Sequence, residues 1–260
     1  GYVPPHRAYR DGGSFEIAIK IAKEQNVDLI IGTDPDCDRV AIAVPCGDGF
    51  KKLTGNELGC LILDYVLKAR TARNDIPEGA ITVRSIVSSP LADRIASAYG
   101  ITMKVVLTGF KYIGGEILQL ENQNEENKFV FGFEESCGYL KGTYARDKDA
   151  VVASMLICEM AAFYRAQGIS LIEARKKMYE EYGSYCNTLD TFAFEGASGM
   201  AKMQEIMNNM RTDYPAEIAG AKVIAMADYE ASKKVDIVTG EETAIDLPKS
   251  NVITLYLEGG

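Results

Sequence analysis

The chain has 260 residues, of which 47% are hydrophobic and 25% charged, and a formal net charge of −9 at pH 7. That length accommodates one large domain or two smaller ones, each with a sizeable core. The acidic balance argues against a nucleic-acid or anionic-membrane partner, because such surfaces demand a basic face. The longest apolar run, Ala150 to Cys158, is broken by Glu159 and is too short to span a bilayer. The six cysteines are scattered without a C-x-x-C pair, and the single histidine, His6, stands in a Pro- and Arg-rich leader. A zinc site or disulfide framework is therefore not expected, and a cytoplasmic protein with reduced thiols is.

In chain order, residues 1–13 form a leader of unclear origin. Ser14 is placed to cap a helix over 14–26, with Phe15, Ala18, Ile19 and Ala22 on one face. Strands are expected at 27–32 and 40–45, with a tight turn at Gly47-Asp48-Gly49. Thr54 and Glu57 have capping-box spacing and open a helix to about residue 70. A polar stretch with Pro and Gly at 73–79 is a candidate domain junction. Strand, helix, strand, helix, strand follow at 80–87, 90–99, 103–107, 112–121 and 128–132. This order predicts an α/β fold of mixed, mostly parallel sheets covered by helices. Helices are expected at 149–167 and 170–182, the second with a capping box from Ser170 to Glu173. From residue 191 the character changes to a partial α+β piece, with a helix at 199–211 and strands at 222–227 and 251–257. The sequence stops straight after an apolar strand, as expected of a partial terminus.

The chemistry concentrates in Asp34-Pro35-Asp36-Cys37-Asp38-Arg39, three carboxylates at alternate positions after an apolar strand. Unpaired, they would repel one another and one would tend to hold a proton. An all-oxygen set suits a hard divalent ion such as Mg²⁺. An EF-hand is excluded by Arg39 at the sixth loop position and Pro45 at the twelfth. A solvated acidic loop is the plainer alternative. Two further polar loops follow expected strands: one opens at Thr108-Gly109, the other contains Glu134-Glu135-Ser136 and runs on to Arg146-Asp147-Lys148-Asp149. A turn with a helix cap and a surface salt-bridge cluster are the ordinary readings of these. A carboxylate pair at a strand end also suits sugar hydroxyls, and a lysine among acids suits proton transfer or phosphate binding.

Three phrases, Gly32-Thr33-Asp34-Pro35-Asp36-Cys37-Asp38-Arg39, Leu107-Thr108-Gly109-Phe110-Lys111-Tyr112-Ile113-Gly114 and Gly132-Phe133-Glu134-Glu135-Ser136-Cys137-Gly138-Tyr139, occur in an order and spacing that resemble the α-D-phosphohexomutases. The likeness runs from about Phe15 to the end and is nearest to bacterial phosphoglucomutases and their phosphopentomutase-like relatives. It implies that Asp34, Asp36 and Asp38 hold Mg²⁺, with Arg39 facing the phosphate. It implies that Thr108, Gly109, Glu134 and Ser136 bind the sugar, and that Lys148 is a general acid or base. The implied partner is a sugar phosphate, moved between positions through a phosphoserine and a bisphosphate intermediate. Nothing in the sequence gives an oligomeric state.

The resemblance further implies a partial second domain at 14–73, a third at 74–190 and the start of a fourth at 191–260. The family's serine motif, Thr-x-Ser-His-Asn-Pro, and its phosphate loop, Arg-Pro-Ser-Gly-Thr-Glu-Pro, are not among these residues. Residues 1–13 also lack the usual Pro-Asn-Pro-Glu stretch, and Arg84 stands where many relatives carry Lys. The expectation is a fragment, inactive by itself, whose second-domain sheet has an open edge. Two rivals are a haloacid-dehalogenase-like phosphatase with Asp34 as nucleophile and Asp36 as acid, and a non-catalytic module that binds metal and sugar phosphate.

Overall fold

Residues 15–259 are described in the computed structural model, so the expected Ser14 cap and His6 lie outside the described residues. The chain divides into two units, one reaching Asn187 and one beginning at Thr188.

In the first unit, helix α1 (Glu16–Gln25) ends at Asn26, whose left-handed backbone (φ 52°) returns its N–H to Ala22; asparagine tolerates that conformation better than most residues. The helix lays Phe15 and Ala22 on Ile30, Ala41 and Ala43. Strands β1 (Ile30–Thr33), β2 (Val40–Cys46) and β3 (Gly49–Lys52) form an antiparallel meander in the order β1-β2-β3. The turn expected at Gly47-Asp48-Gly49 leads from β2 into β3, a strand too short to betray itself by periodicity. Helix α2 (Gly55–Ala72) begins with the expected capping box, in which Thr54 and Glu57 satisfy each other's backbone N–H groups. It is buried from Leu58 through Leu67, so it is a core helix rather than a surface one.

The chain then builds β4 (Ile81–Ser85), α3 (Leu91–Ala98), β5 (Thr102–Val106), α4 (Phe110–Asn122), β6 (Phe129–Glu134) and β7 (Gly138–Leu140). The sheet order is β5-β4-β6-β7; β4 runs parallel to both β5 and β6, and β7 returns antiparallel to β6. Among the described strands parallel pairing is confined to β4–β5 and β4–β6, where crossover helices supply it, so the sheets are mixed but less parallel than the alternating order implies. Helix α4 covers one face with Phe110, Ile113 and Ile117. The core on the other face draws on α2, α3, α5 (Ala150–Ala166) and α6 (Leu171–Tyr182), with Leu63, Ile95, Ile157 and Met178 meeting Phe131 and Phe133. The sequence junction at 73–79 falls after α2, which shares this core with α3 and β6.

Asp64 is 1% exposed and is held by Lys68 Nζ at 2.7 Å and by the hydroxyls of Tyr182 at 3.1 Å and Tyr99 at 3.4 Å. Burial pushes its carboxyl above the usual aspartate value, against the pull of Lys68. This network ties α2 to α6 and to the residue after α3, and it satisfies the polar groups that the apolar pattern of α2 would otherwise strand.

The second unit carries α7 (Gly196–Thr212), β8 (Glu217–Ile218), β9 (Ala221–Asp228), β10 (Lys233–Asp236), β11 (Glu242–Ala244) and β12 (Ile253–Leu257). Its sheet is antiparallel in the order β11-β10-β9-β12, with β8 also paired to β9. Arg211 joins α7 to this sheet through Asp228, Glu230 and Asn251. Among the described residues, no single helix is long and apolar enough to cross a membrane.

Candidate functional site

The acidic segment is the tip of the β1–β2 hairpin. Asp34 closes it: its Oδ1 accepts the backbone N–H of Asp38 at 3.1 Å and of Arg39 at 3.0 Å. Cys37 takes the left-handed region (φ 59°), which turns the chain within this tip. The result gathers one carboxylate oxygen from each of Asp34, Asp36 and Asp38 within 4.8 Å of one another. Oxygens on one octahedron around a magnesium ion lie about 3–4 Å apart, so the three carboxylates stand near the spacing that such an ion requires.

Charge in the cluster is unevenly held. Burial pushes Asp34 above the usual aspartate range, and the neighbouring acids add to the effect. For Asp38 burial works the same way, but the Asp34 carboxyl and Lys148 outweigh it and leave the group below its ordinary value. Arg39 Nε stands 3.8 Å from both Asp34 and Asp38. Asp38 Oδ1 is buried with no hydrogen-bond partner among the described residues. A buried carboxylate oxygen without a donor is costly unless a cation meets it. The cation nearest Asp38 Oδ1 is Arg39 Nε, at 3.8 Å and so beyond hydrogen-bond reach, and the oxygen-only donor set fits a hard divalent ion.

The second half of the site is the turn between β6 and β7. Because β4, β5 and β6 are parallel, the segments following each emerge at the same sheet end. Glu134, expected in a loop, is the last residue of β6 and is 5% exposed. It accepts the N–H of Gly109 at 2.5 Å. Burial pushes its carboxyl up, opposed by that N–H. Glu134 and Gly109 are therefore brought together, while Thr108 and Ser136 lie exposed. No hydrogen bond or ion pair among the described residues joins Thr108 or Ser136 to the three acids.

Sequence reasoning missed what holds this turn in place. Glu135 Oε2 accepts from Ser85 at 3.0 Å and Ser88 at 3.4 Å, and Glu135 N–H donates to Ser88 Oγ. Arg84 makes a two-point contact with Asp93 at 2.6 and 2.7 Å and donates to the carbonyls of Ser85 and Ser88. Its role is to shape the β4–α3 connection. Gly55 abuts the turn so closely that a Cβ there would lie 1.9 Å from the Glu135 carbonyl oxygen. Only the glutamate pair itself was a signal in the sequence; its supports lie 47 to 80 positions away, which no local pattern reveals.

Hairpin and turn are joined. Arg39 and Gly138 form an antiparallel β-bridge, and Val40 N–H donates to the Cys137 carbonyl at 3.1 Å. Ala150 N–H, at the start of α5, donates to the Cys37 carbonyl. Lys148 spans the junction: its Nζ is 2.9 Å from both Asp38 Oδ2 and Asp147 Oδ1 and lies 5.7 Å from the Phe110 ring centroid. Burial would lower its pKa, but Asp38 and Asp147 outweigh burial and raise it, so the group is an ammonium.

Residues 54–182 match the family description "Phosphoglucomutase/phosphomannomutase, alpha/beta/alpha domain III". The chain is also 38% identical over 251 residues to a phosphoglucomutase of Staphylococcus epidermidis, covering 96% of this chain and 45% of that protein. Residues 54–182 belong to the phosphoglucomutase/phosphomannomutase family. Among solved phosphohexomutase structures, the open form of pp63/parafusin from Paramecium, a phosphoglucomutase, shares the fold with a TM-score of 0.57 at 19% identity, over 88% of this chain and 36% of that one. A phosphoglucomutase/phosphomannomutase family protein from Burkholderia thailandensis gives 0.54 at 15% identity, over 84% of this chain and 40% of that one. The chain spans a little under half the length of the curated phosphohexomutases it matches.

Proposed function

We propose that these residues form the metal- and sugar-binding part of an enzyme that interconverts hexose or pentose 1-phosphates with their terminal phosphate isomers. In this reading a phosphoserine outside the 260 residues gives up its phosphoryl group, and the sugar bisphosphate returns the other phosphate. We take residues up to about 53 as the second phosphohexomutase domain, those to about 187 as the third and those beyond as the fourth, in place of the boundaries expected at 73 and 190; the family match beginning at residue 54 and the division after Asn187 support this. Metal dependence is general in this family. Asp34, Asp36 and Asp38 would hold the ion, Mg²⁺ in our assignment. When bound, it would polarise the transferring phosphoryl group and offset its charge.

The chain's own residues supply the rest. Arg39 adds positive charge on the phosphate side of the hairpin. Thr108 and Ser136 offer exposed hydroxyls, and Glu134 with Gly109 fixes the two sugar-facing segments against each other. The Lys148 ammonium is a proton donor placed between the acids and the turn. The observation that supports this reading is the join of hairpin to turn through Arg39 and Gly138, which brings the three acids beside the segment that carries Glu134 and Ser136. An aspartyl-phosphatase with Asp34 as nucleophile is disfavoured, since one oxygen of Asp34 already accepts two backbone N–H groups and its side chain is 9% exposed.

Supplied with glucose 1-phosphate, glucose 1,6-bisphosphate and Mg²⁺, the 260-residue chain alone is expected to show no turnover, because the covalent step needs a nucleophile it does not contain. A coupled assay for glucose 6-phosphate checks this. Sustained product formation would refute the division of labour proposed here.

A further inference from the structure

We infer that Lys148 is a positioning residue for the cation, and that Gly138 of the sugar-side turn sets where Lys148 sits. This rests on the metal reading above and extends it to two residues that touch no ion in that reading. Lys148 Nζ grips Asp38 Oδ2, while the other oxygen, Oδ1, is the buried one with no hydrogen-bond donor. Fixing one oxygen of a carboxylate fixes the direction of the other. Losing a donor that holds a ligand in this way typically costs about 10–100-fold in metal affinity.

Two cations near one acid also repel, and magnitude decides between the effects. Lys148 is shared equally with Asp147, at 2.9 Å to each acid, so the lysine and Asp147 together carry no net charge. Repulsion between a bound ion and this pair is correspondingly weak, and orientation wins.

The lysine is held by shape as well as charge. Its side chain is 13% exposed, and its stem lies on Gly138 so closely that a Cβ there would come within 2.6 Å of Lys148 Cδ. The three nearest atoms such a methyl would meet all belong to Lys148. An alanine at 138 therefore acts on the lysine first. The sugar-side turn and the metal hairpin are coupled by this stem as well as by the backbone bridge that Gly138 makes with Arg39.

The test is Mn²⁺ binding to the 260-residue chain, followed by the loss of the free-ion electron paramagnetic resonance signal, with thermal melts as a folding control. Lys148→Met is expected to weaken binding roughly tenfold or more. Gly138→Ala is expected to weaken it in the same direction, although it adds only a methyl on the sugar side. Unchanged or tighter binding in both variants overturns the inference while leaving the metal reading intact. Should Lys148→Met fail to fold, Gly138→Ala decides alone by the same criterion. If the unaltered chain binds no Mn²⁺, the metal reading itself fails and this inference falls with it.

Discussion

Replacing Asp36 with alanine is expected to abolish sugar-phosphate isomerisation and leave the fold untouched. In a polypeptide carrying these residues together with a phosphoserine loop, the turnover number should drop at least about a hundredfold, the usual cost of removing one element of transition-state charge stabilisation. Asp36 is the exposed member of the trio and makes none of the hydrogen bonds that close the hairpin tip. Its loss should therefore change stability by no more than about 0.5 kcal/mol. Asp34 offers the contrast. Its Oδ1 receives two backbone N–H groups, so Asp34→Ala should cost activity and about 1–3 kcal/mol of stability together. Steady-state kinetics and urea unfolding of the two variants separate ligand from scaffold. Near-normal turnover in Asp36→Ala would remove this residue from the metal set.

The second large effect is on stability. Gly55→Ala puts a methyl 1.9 Å from the Glu135 carbonyl oxygen and 2.9 Å from the Cys137 nitrogen, both backbone atoms. Neither a rotamer change nor a flexible tip can relieve that contact. Either α2 retreats, breaking the Tyr139 hydroxyl's bond to the Gly55 carbonyl, or the turn 135–137 moves off its seat on Ser85 and Ser88. The expected loss is about 3 kcal/mol, at the upper end of overpacking costs. Hydrogen exchange at residues 135–138 should rise with it. Gly115→Ala is the control: it lies in α4 with nothing within 4 Å of a new Cβ, and should be neutral or stabilising by up to about 1 kcal/mol. Equal stability of the two variants would mean that α2 does not brace the turn.

These supports explain what could be read from sequence and what could not. Both capping boxes, Thr54 with Glu57 and Ser170 with Glu173, form as their spacing implied, because a cap is a contact over three residues. The trio of acids likewise converges because alternate residues of one short tip have nowhere else to go. Helix α4 starts at Phe110, two residues before the expected start, since Gly109 (φ 121°) finishes the preceding turn. Strand β6 continues through Phe133 and Glu134, past the expected end at 132, because β7 extends its ladder. Three residues of β7 are too few to show a period of two, so the burial of Glu134 was illegible. The glutamate was expected to face a sugar; its partner Gly109 lies on another segment, and only the tertiary fold brings the two together. Arg84 shows the same limit. Its contacts with Asp93 and two carbonyls depend on the path of the β4–α3 connection, not on residue type.

The most direct test of the metal hairpin is an anomalous-scattering experiment on crystals of the 260-residue chain equilibrated with Mn²⁺. A single strong peak bounded by carboxylate oxygens of Asp34, Asp36 and Asp38, absent in Asp36→Ala crystals, is the predicted result. No peak among those side chains at saturating Mn²⁺, or peaks only at other acids, would contradict it.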